Sequence, residues 1–325
     1  MTTLADLAEL VRAPAALSVP GDVIAGAAAA GALSPRTPAL AGASVLLYWA
    51  GMAANDWADR RLDAEERPER PIPSGRVTPA AAVGLAAGLT AAGVGLAAAV
   101  GGRRAATLAV PLAATIWGYD LLAKNTAAGP AVMAACRGLD VLLGASGGRL
   151  TRALPAAATV AAHTWTVTAL SRREVTGADA TLPMRTLAGT ALVAASAAVA
   201  APGARRAAAR TAEQAGVTDR AGVTDRAGAT GEIGVSAGRR RAAGIAAALP
   251  AVLAGWYAAR YGAAQAQVVR DPSAGRVRAA VGAGITGLPA LQGALTARGG
   301  AGLLGVAVAA AAPLGRRLAR KVSPT

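Results

Sequence analysis

The sequence predicts an all-α chain: a polytopic membrane bundle of nine transmembrane helices, or ten, around a central cavity. Three observations lead there. Hydrophobic residues make up 54% of the chain and charged residues only 16%, with the charges clumped. Several uninterrupted apolar runs reach the roughly 20 residues that a helix needs to cross a bilayer. Their interiors are Ala, Leu, Val and Gly, with no Phe in the chain, and small residues let helices pack closely in lipid.

The apolar runs define the elements in order. The first spans 16–33, beyond Arg12, and the second spans 38–55, between Arg36 and Asp56. Two follow at 79–100 and 104–123, with Arg103 and Arg104 between them and Lys124 closing the second. The next two, 128–148 and 153–171, are separated by Arg149 and Arg152; the second ends at Arg172. Three more are expected at 183–201, 242–262 and 278–297. A shorter run at 299–315 supplies a tenth crossing if the basic tail from Arg316 to Lys321 is to share the side of the other basic loops. Met1 to Arg12 carries Asp6 and Glu9 and lacks a cleavable signal pattern. Insertion is therefore expected to use the first crossing.

Residues 1–325 read as one domain. Within it, 202–241 is polar, rich in Gly and Ala, and holds Gly-Val-Thr-Asp-Arg-Ala starting at Gly216 and again at Gly222. That segment is expected to be a flexible inserted loop without chemistry. Its arginines sit badly with the charge rule on this topology, a rule that weakens for long loops.

The formal net charge is +15, nearly all arginine, with Lys124 and Lys321 the only lysines. Because the arginines outside the insert lie in short loops between apolar runs, they favour membrane topology and phosphate binding over nucleic acid. A single cysteine, Cys136, excludes an internal disulfide and a cysteine metal cluster. His163 is expected to pack between helices, and Trp49, Trp117 and Trp256 to anchor at interfaces. Trp57 is placed to stack on a substrate.

The strongest local signal is Asn55-Asp56-Trp57-Ala58-Asp59-Arg60-Arg61-Leu62-Asp63, closing the second apolar run. On a helix, residues four apart share a face, so Asp59 stacks between Asn55 and Asp63, with Asp56 one turn behind. That much anionic oxygen at a membrane edge calls for a hard cation such as Mg²⁺, which typically takes one or two protein carboxylates plus phosphate oxygens. The arginines of the next segment, Arg67 and Arg70-Pro71-Ile72-Pro73-Ser74-Gly75-Arg76, suit a phosphate-bearing ligand, since guanidinium donors match phosphate oxygens in pairs.

These residues resemble the first signature of the UbiA superfamily of intramembrane prenyltransferases, in both the acidic spacing and the Arg-Pro-Ile-Pro-Ser-Gly-Arg string. The similarity extends over most of the chain apart from the insert. Arg12-Ala13-Pro14, Gly21-Asp22 and Gly26 resemble the family's first helix. Tyr119 to Lys124 is similar to the end of its fourth, and Arg137-Gly138-Leu139-Asp140 with Gly144 to its fifth, where Asn commonly stands at the Asp140 position. The second acidic signature is eroded. Aligned on Thr181-Leu182-Pro183, only Glu174 keeps an acidic position, and Asp179 is out of register. A bacterial branch similar to the EboC-like members fits best.

The resemblance implies a Mg²⁺-dependent prenyltransferase that moves an isoprenyl group from an allylic prenyl diphosphate to a small acceptor, aromatic or lipid-like. It places the enzyme in the plasma membrane with its active site facing the cytoplasm. It implies that Asn55, Asp56, Asp59, Asp63 and Glu174 hold metal and that Arg67, Arg70, Arg76, Lys124, Arg172 and Arg173 bind diphosphate. Asn55, Tyr119, Arg137 and Asp140 would line the cavity. Two other readings stay open: a non-catalytic prenyl-lipid-binding or transport protein on the same scaffold, and a terpene cyclase.

Overall fold

The computed structural model describes residues 2–179, 181–199 and 230–311. The repeat beginning at Gly216 and the basic tail from Arg316 to Lys321 lie outside the described residues. Those described are helical, with no strand among them.

A short helix, α1 (Leu4–Leu10), starts with a reciprocal cap between Thr3 and Asp6. A 3₁₀ segment (Ala13–Ser18) leads into α2 (Pro20–Ala30), which stops where Gly31 turns left-handed at φ 68°. Helix α3 (Thr37–Glu66) runs beyond the expected boundary at residue 55. Its extension is built of Ala, Asp, Arg, Leu and Glu with one Trp, so the acidic motif rides on rigid helix rather than on a loop. Helix α4 (Pro79–Gly118) is broken at Gly102, with φ 64° and ψ −159°. This break separates the two expected crossings, because only glycine takes that backbone without strain. A wide π-turn, Tyr119–Ala123, closes α4.

Helices α5 (Gly129–Gly144), α6 (Leu150–Ser171) and α7 (Thr181–Ala198) follow their expected segments closely. Helix α8 (Thr230–Tyr257) begins inside the segment expected to be loop, and a π-turn at Ala258–Gly262 joins it to α9 (Ala263–Arg270). Last come α10 (Ala274–Arg298) and α11 (Gly302–Ala311).

Helix α2 is the hub, packing on α3, α5, α6 and α10. Its crossing with α5 is close. A side chain at Gly26 would overlap the Val141 carbonyl, and one at Gly144 the Val23 carbonyl. One apolar cluster joins α2 to α5 and a second joins α6 to α8 and α10. His163 lies buried with its Nδ1 2.8 Å from the Tyr257 hydroxyl, a packing role as expected. Among the described residues, two helical stretches are long and apolar enough to cross a membrane: Thr37–Glu66 and Pro79–Ala123, the latter holding both segments on either side of Gly102. Helices α2, α5 and α9, with 11, 16 and 8 residues, fall short of that length, whereas α6, α7, α8 and α10 fall short of that apolarity.

Candidate active site

Helix α3 projects Asp56, Asp59 and Asp63 at i, i+3 and i+7, spacings that share one helix face. Three elements bring cations to that face. Arg12, between α1 and the 3₁₀ segment, donates to Asp56 Oδ1 at 2.6 Å. Arg70, in the turn after α3, donates to Asp63 Oδ2 at 2.6 Å and lies 3.6 Å from Asp56. Lys124, at the end of the π-turn, places Nζ 2.6 Å from Asp59 Oδ1. Asp56 and Asp63 are buried, so each of these charges is compensated, as burial requires. Asn55, one turn before Asp59 on the same helix face, donates to Asp120 at 3.1 Å.

Beneath this face lie two hollows of about 220 and 320 Å³. They share Tyr48, Met52, Tyr119 and Met133 as walls, so they lie side by side. Arg12, Asn55 and Asp120 line the first, beside the acidic face. Arg137, Ser171 and Ile285 line the second. Under the floor, Arg137 pairs with Asp22 at 2.7 Å and lies over the Tyr48 ring, while Gln292 donates to Asp22 at 2.7 Å. Asp140 is fully buried and is bonded by the Ser44 hydroxyl. It therefore ties α5 to α3 and does not line either hollow.

Several expected site residues stand elsewhere. Arg76 is held by Asp6 and Glu9 of α1 at 2.8 and 2.7 Å, not by the acidic face of α3. Hydrogen bonds from Thr3 and then Arg76 hold the Asp6 carboxyl down at about 2. Arg67 is exposed. Arg172 donates to the carbonyls of Lys124 and Thr126, so it buttresses the turn that presents Lys124. Arg173 is exposed. Partial burial raises the Glu174 carboxyl above its usual range, against Arg278, whose guanidinium donates to the Glu174 carbonyl at 3.0 Å. Asp179 accepts the N–H groups of Thr181 and Leu182 at 3.0 and 2.8 Å, capping α7. That explains why it falls out of register with the acidic signature. Trp57 is already covered by Arg60, 4.6 Å from its ring.

Among the described residues, no three His, Cys, Asp or Glu side chains converge as a ready-made metal cage. The donor set still suits a hard cation. It is all oxygen, three carboxylates on one face, and Mg²⁺ needs only one or two of them when phosphate oxygens complete its shell. From the sequence alone, neither Arg12 nor Asp120 had a role in the site. The only local signals were the basic residue before Ala-Pro and an acid within an apolar run.

The family described as UbiA prenyltransferase family matches residues 18–204, more than half of the chain. The digeranylgeranylglyceryl phosphate synthase of Natronomonas pharaonis is 36% identical over 170 residues, covering 50% of this chain and 61% of that protein. The enzyme of the same name from Methanothrix thermoacetophila is 42% identical over 80 residues, 24% of this chain and 30% of that one. The chain thus aligns with less than two thirds of these relatives' length. Both are archaeal, whereas the sequence resemblance pointed to a bacterial branch. A solved structure described as concerning digeranylgeranylglyceryl phosphate synthase in membranes has the same fold, with a TM-score of 0.55 at 14% identity over 88% of this chain and 98% of that one.

Proposed function

Since the chain belongs to the UbiA prenyltransferase family, we propose that it is a multi-pass membrane prenyltransferase that alkylates a small acceptor from an allylic prenyl diphosphate, with Mg²⁺ as cofactor. The carrying observation is the acidic face of α3, where Arg12, Arg70 and Lys124 meet three aspartates above an apolar hollow.

Asp56, Asp59 and Asp63 are the residues that would hold Mg²⁺, with Asn55 in support; bound there, the ion would neutralise charge on the diphosphate. Arg12, Arg70 and Lys124 are paired to carboxylates now, and in the substrate complex they turn part of their donors to phosphate oxygens. Fixed cations of this kind stabilise the charge that develops as a bond to oxygen breaks. The allylic C–O bond breaks with its electron pair leaving on the diphosphate, and the acceptor's nucleophilic atom forms the new bond to that carbon and loses its proton. Tyr48, Met52, Ile116, Tyr119 and Met133 wall the reacting end of the prenyl chain and keep water from capturing the cation. Asn55 and Asp120, hydrogen-bonded at the rim, orient the headgroup.

The proposed topology has nine crossings, with the acidic face towards the cytoplasm. Arg60, Arg61, Arg67, Arg70 and Arg76, close in sequence to that face, favour this orientation. The relatives' name makes a glyceryl phosphate lipid alcohol the first acceptor to assay, ahead of a panel of aromatic acceptors. With the full chain in nanodiscs and radiolabelled geranylgeranyl diphosphate, diphosphate release is expected to require Mg²⁺, to stop with EDTA and to vanish in Asp59→Ala. Tight binding without release across the panel would refute the enzyme. The capping role of Asp179 and the placement of Glu174 beside Arg278 are the observations behind that second, non-catalytic reading. Acceptor-independent cyclic products would instead identify a terpene cyclase.

A further inference from the structure

All three nitrogens of the Arg76 guanidinium are engaged. Nη1 contacts Asp6 and Glu9, Nη2 donates to Glu9 Oε1 and the Glu69 carbonyl, and Nε donates to the Ser74 hydroxyl. Thr2 adds a bond to the Arg76 carbonyl at 2.9 Å. Two carboxylates around one guanidinium leave the spot net negative, which repels a phosphate. The clasp therefore joins α1 to the turn that carries Arg70.

Three residues beyond Glu9 comes Arg12. It is the one residue other than glycine with positive φ among the described residues, at φ 45° and ψ 52°. Such backbone persists only where the surroundings over-determine it. Here Leu10 and Val11 are buried against Ala53, Ala54, Ile72 and Val77 on one side, and the Arg76 clasp fixes α1 on the other. The result of that strained turn is the 2.6 Å contact between Arg12 and Asp56 at the wall of the first hollow.

We infer that Arg76, Asp6 and Glu9 are positioning residues: they hold α1 so that Arg12 is delivered to the acidic face of α3, and Arg76 does not itself bind diphosphate. The inference rests on the diphosphate-site reading given above. It assigns the two ends of the Arg70–Arg76 segment opposite tasks, Arg70 on the site and Arg76 on the strap across it.

The test is a cycle of binding measurements with the full chain in nanodiscs, using inorganic pyrophosphate with Mg²⁺ as the probe. The isosteric pair Asp6→Asn with Glu9→Gln is expected to weaken binding about tenfold, the factor equal to about 1.4 kcal/mol. Arg12→Gln is expected to weaken it by a similar factor. Combining all three substitutions should cost no more than Arg12→Gln alone, because the clasp acts only through Arg12. Arg76→Lys, which keeps the charge and loses the forked geometry, should match the Asp6/Glu9 variant. If releasing Arg76 tightens binding, Arg76 is a direct ligand; if it leaves binding unchanged, the clasp does not position Arg12; either result overturns the inference. Losses that multiply overturn it equally. Absence of pyrophosphate binding by the unaltered chain overturns the diphosphate site itself and this inference with it, an outcome distinct from the other two. Thermal unfolding of each variant confirms that the folded chain is being measured.

Discussion

Replacing Gly129 with alanine tests how tightly the turn presenting Lys124 is built. Gly129 is the first residue of α5 and is buried. A Cβ there would lie 2.9 Å from the Lys124 carbonyl oxygen, 3.0 Å from that of Ala123 and 3.2 Å from Arg172 Nη1. Ordinary contact begins near 3.4 Å, so the turn must retreat by about 0.5 Å to restore packing density. Overpacking of this size costs about 1–3 kcal/mol, offset by about 0.4–1 kcal/mol from the stiffer unfolded chain. The net loss of stability is thus about 1–2 kcal/mol, too small to unfold the protein. Activity should suffer more. The retreat carries Lys124 away from Asp59 and disturbs the Arg172 buttress, and a misplacement of about 1 Å at a reacting centre can cost about 10²-fold. About half that displacement predicts roughly a tenfold loss of turnover. The control is Gly84→Ala within α4, where a Cβ meets open space and helix propensity predicts a gain of up to about 1 kcal/mol. Prenyl transfer assays and thermal melts of both variants decide the matter. Wild-type turnover in Gly129→Ala, or shifts of the same sign for both glycines, would refute the reasoning.

Lys124→Met and Asp59→Asn should each lower turnover by about 10²-fold while leaving the α3–α4 packing intact, as read by kinetics beside thermal melts. Asp179→Ala should lower Tm by a few degrees through loss of the α7 cap yet leave pyrophosphate affinity within about twofold; a large loss of affinity would restore Asp179 to the binding site. Asp6 has a folded pKa of about 2, depressed from 3.8, so its contribution to stability is fully present above about pH 4 and is lost as pH falls through about 2. The difference in Tm between the wild type and Asp6→Asn should therefore be constant from about pH 5 to 8 and shrink between about pH 4 and 2.

Much of this protein was legible in its sequence because the governing signals are local. Apolar runs bounded by arginine marked most helices, and Arg103 and Arg104 marked the division of α4 into two. The spacing of Asn55, Asp59 and Asp63 placed them on one face with Asp56 one turn behind, since this follows from helical pitch alone. Boundaries were less legible where polar residues continue a helix, as in α3 beyond residue 55 and in α8 from Thr230.

The partner of each charge was decided only by the tertiary structure. Arg70 and Arg76 lie in one seven-residue string, and nothing within it says that the first reaches Asp63 and the second the amino-terminal helix. Arg12 meets Asp56 across 44 residues, and Lys124 meets Asp59 across a whole helical hairpin. An ion pair at such a separation depends on how helices cross, and the crossing is set by close contacts such as Gly26 on Val141. Helical period is written along the chain, residue by residue, whereas the meeting of side chains from different helices exists only after those helices have packed.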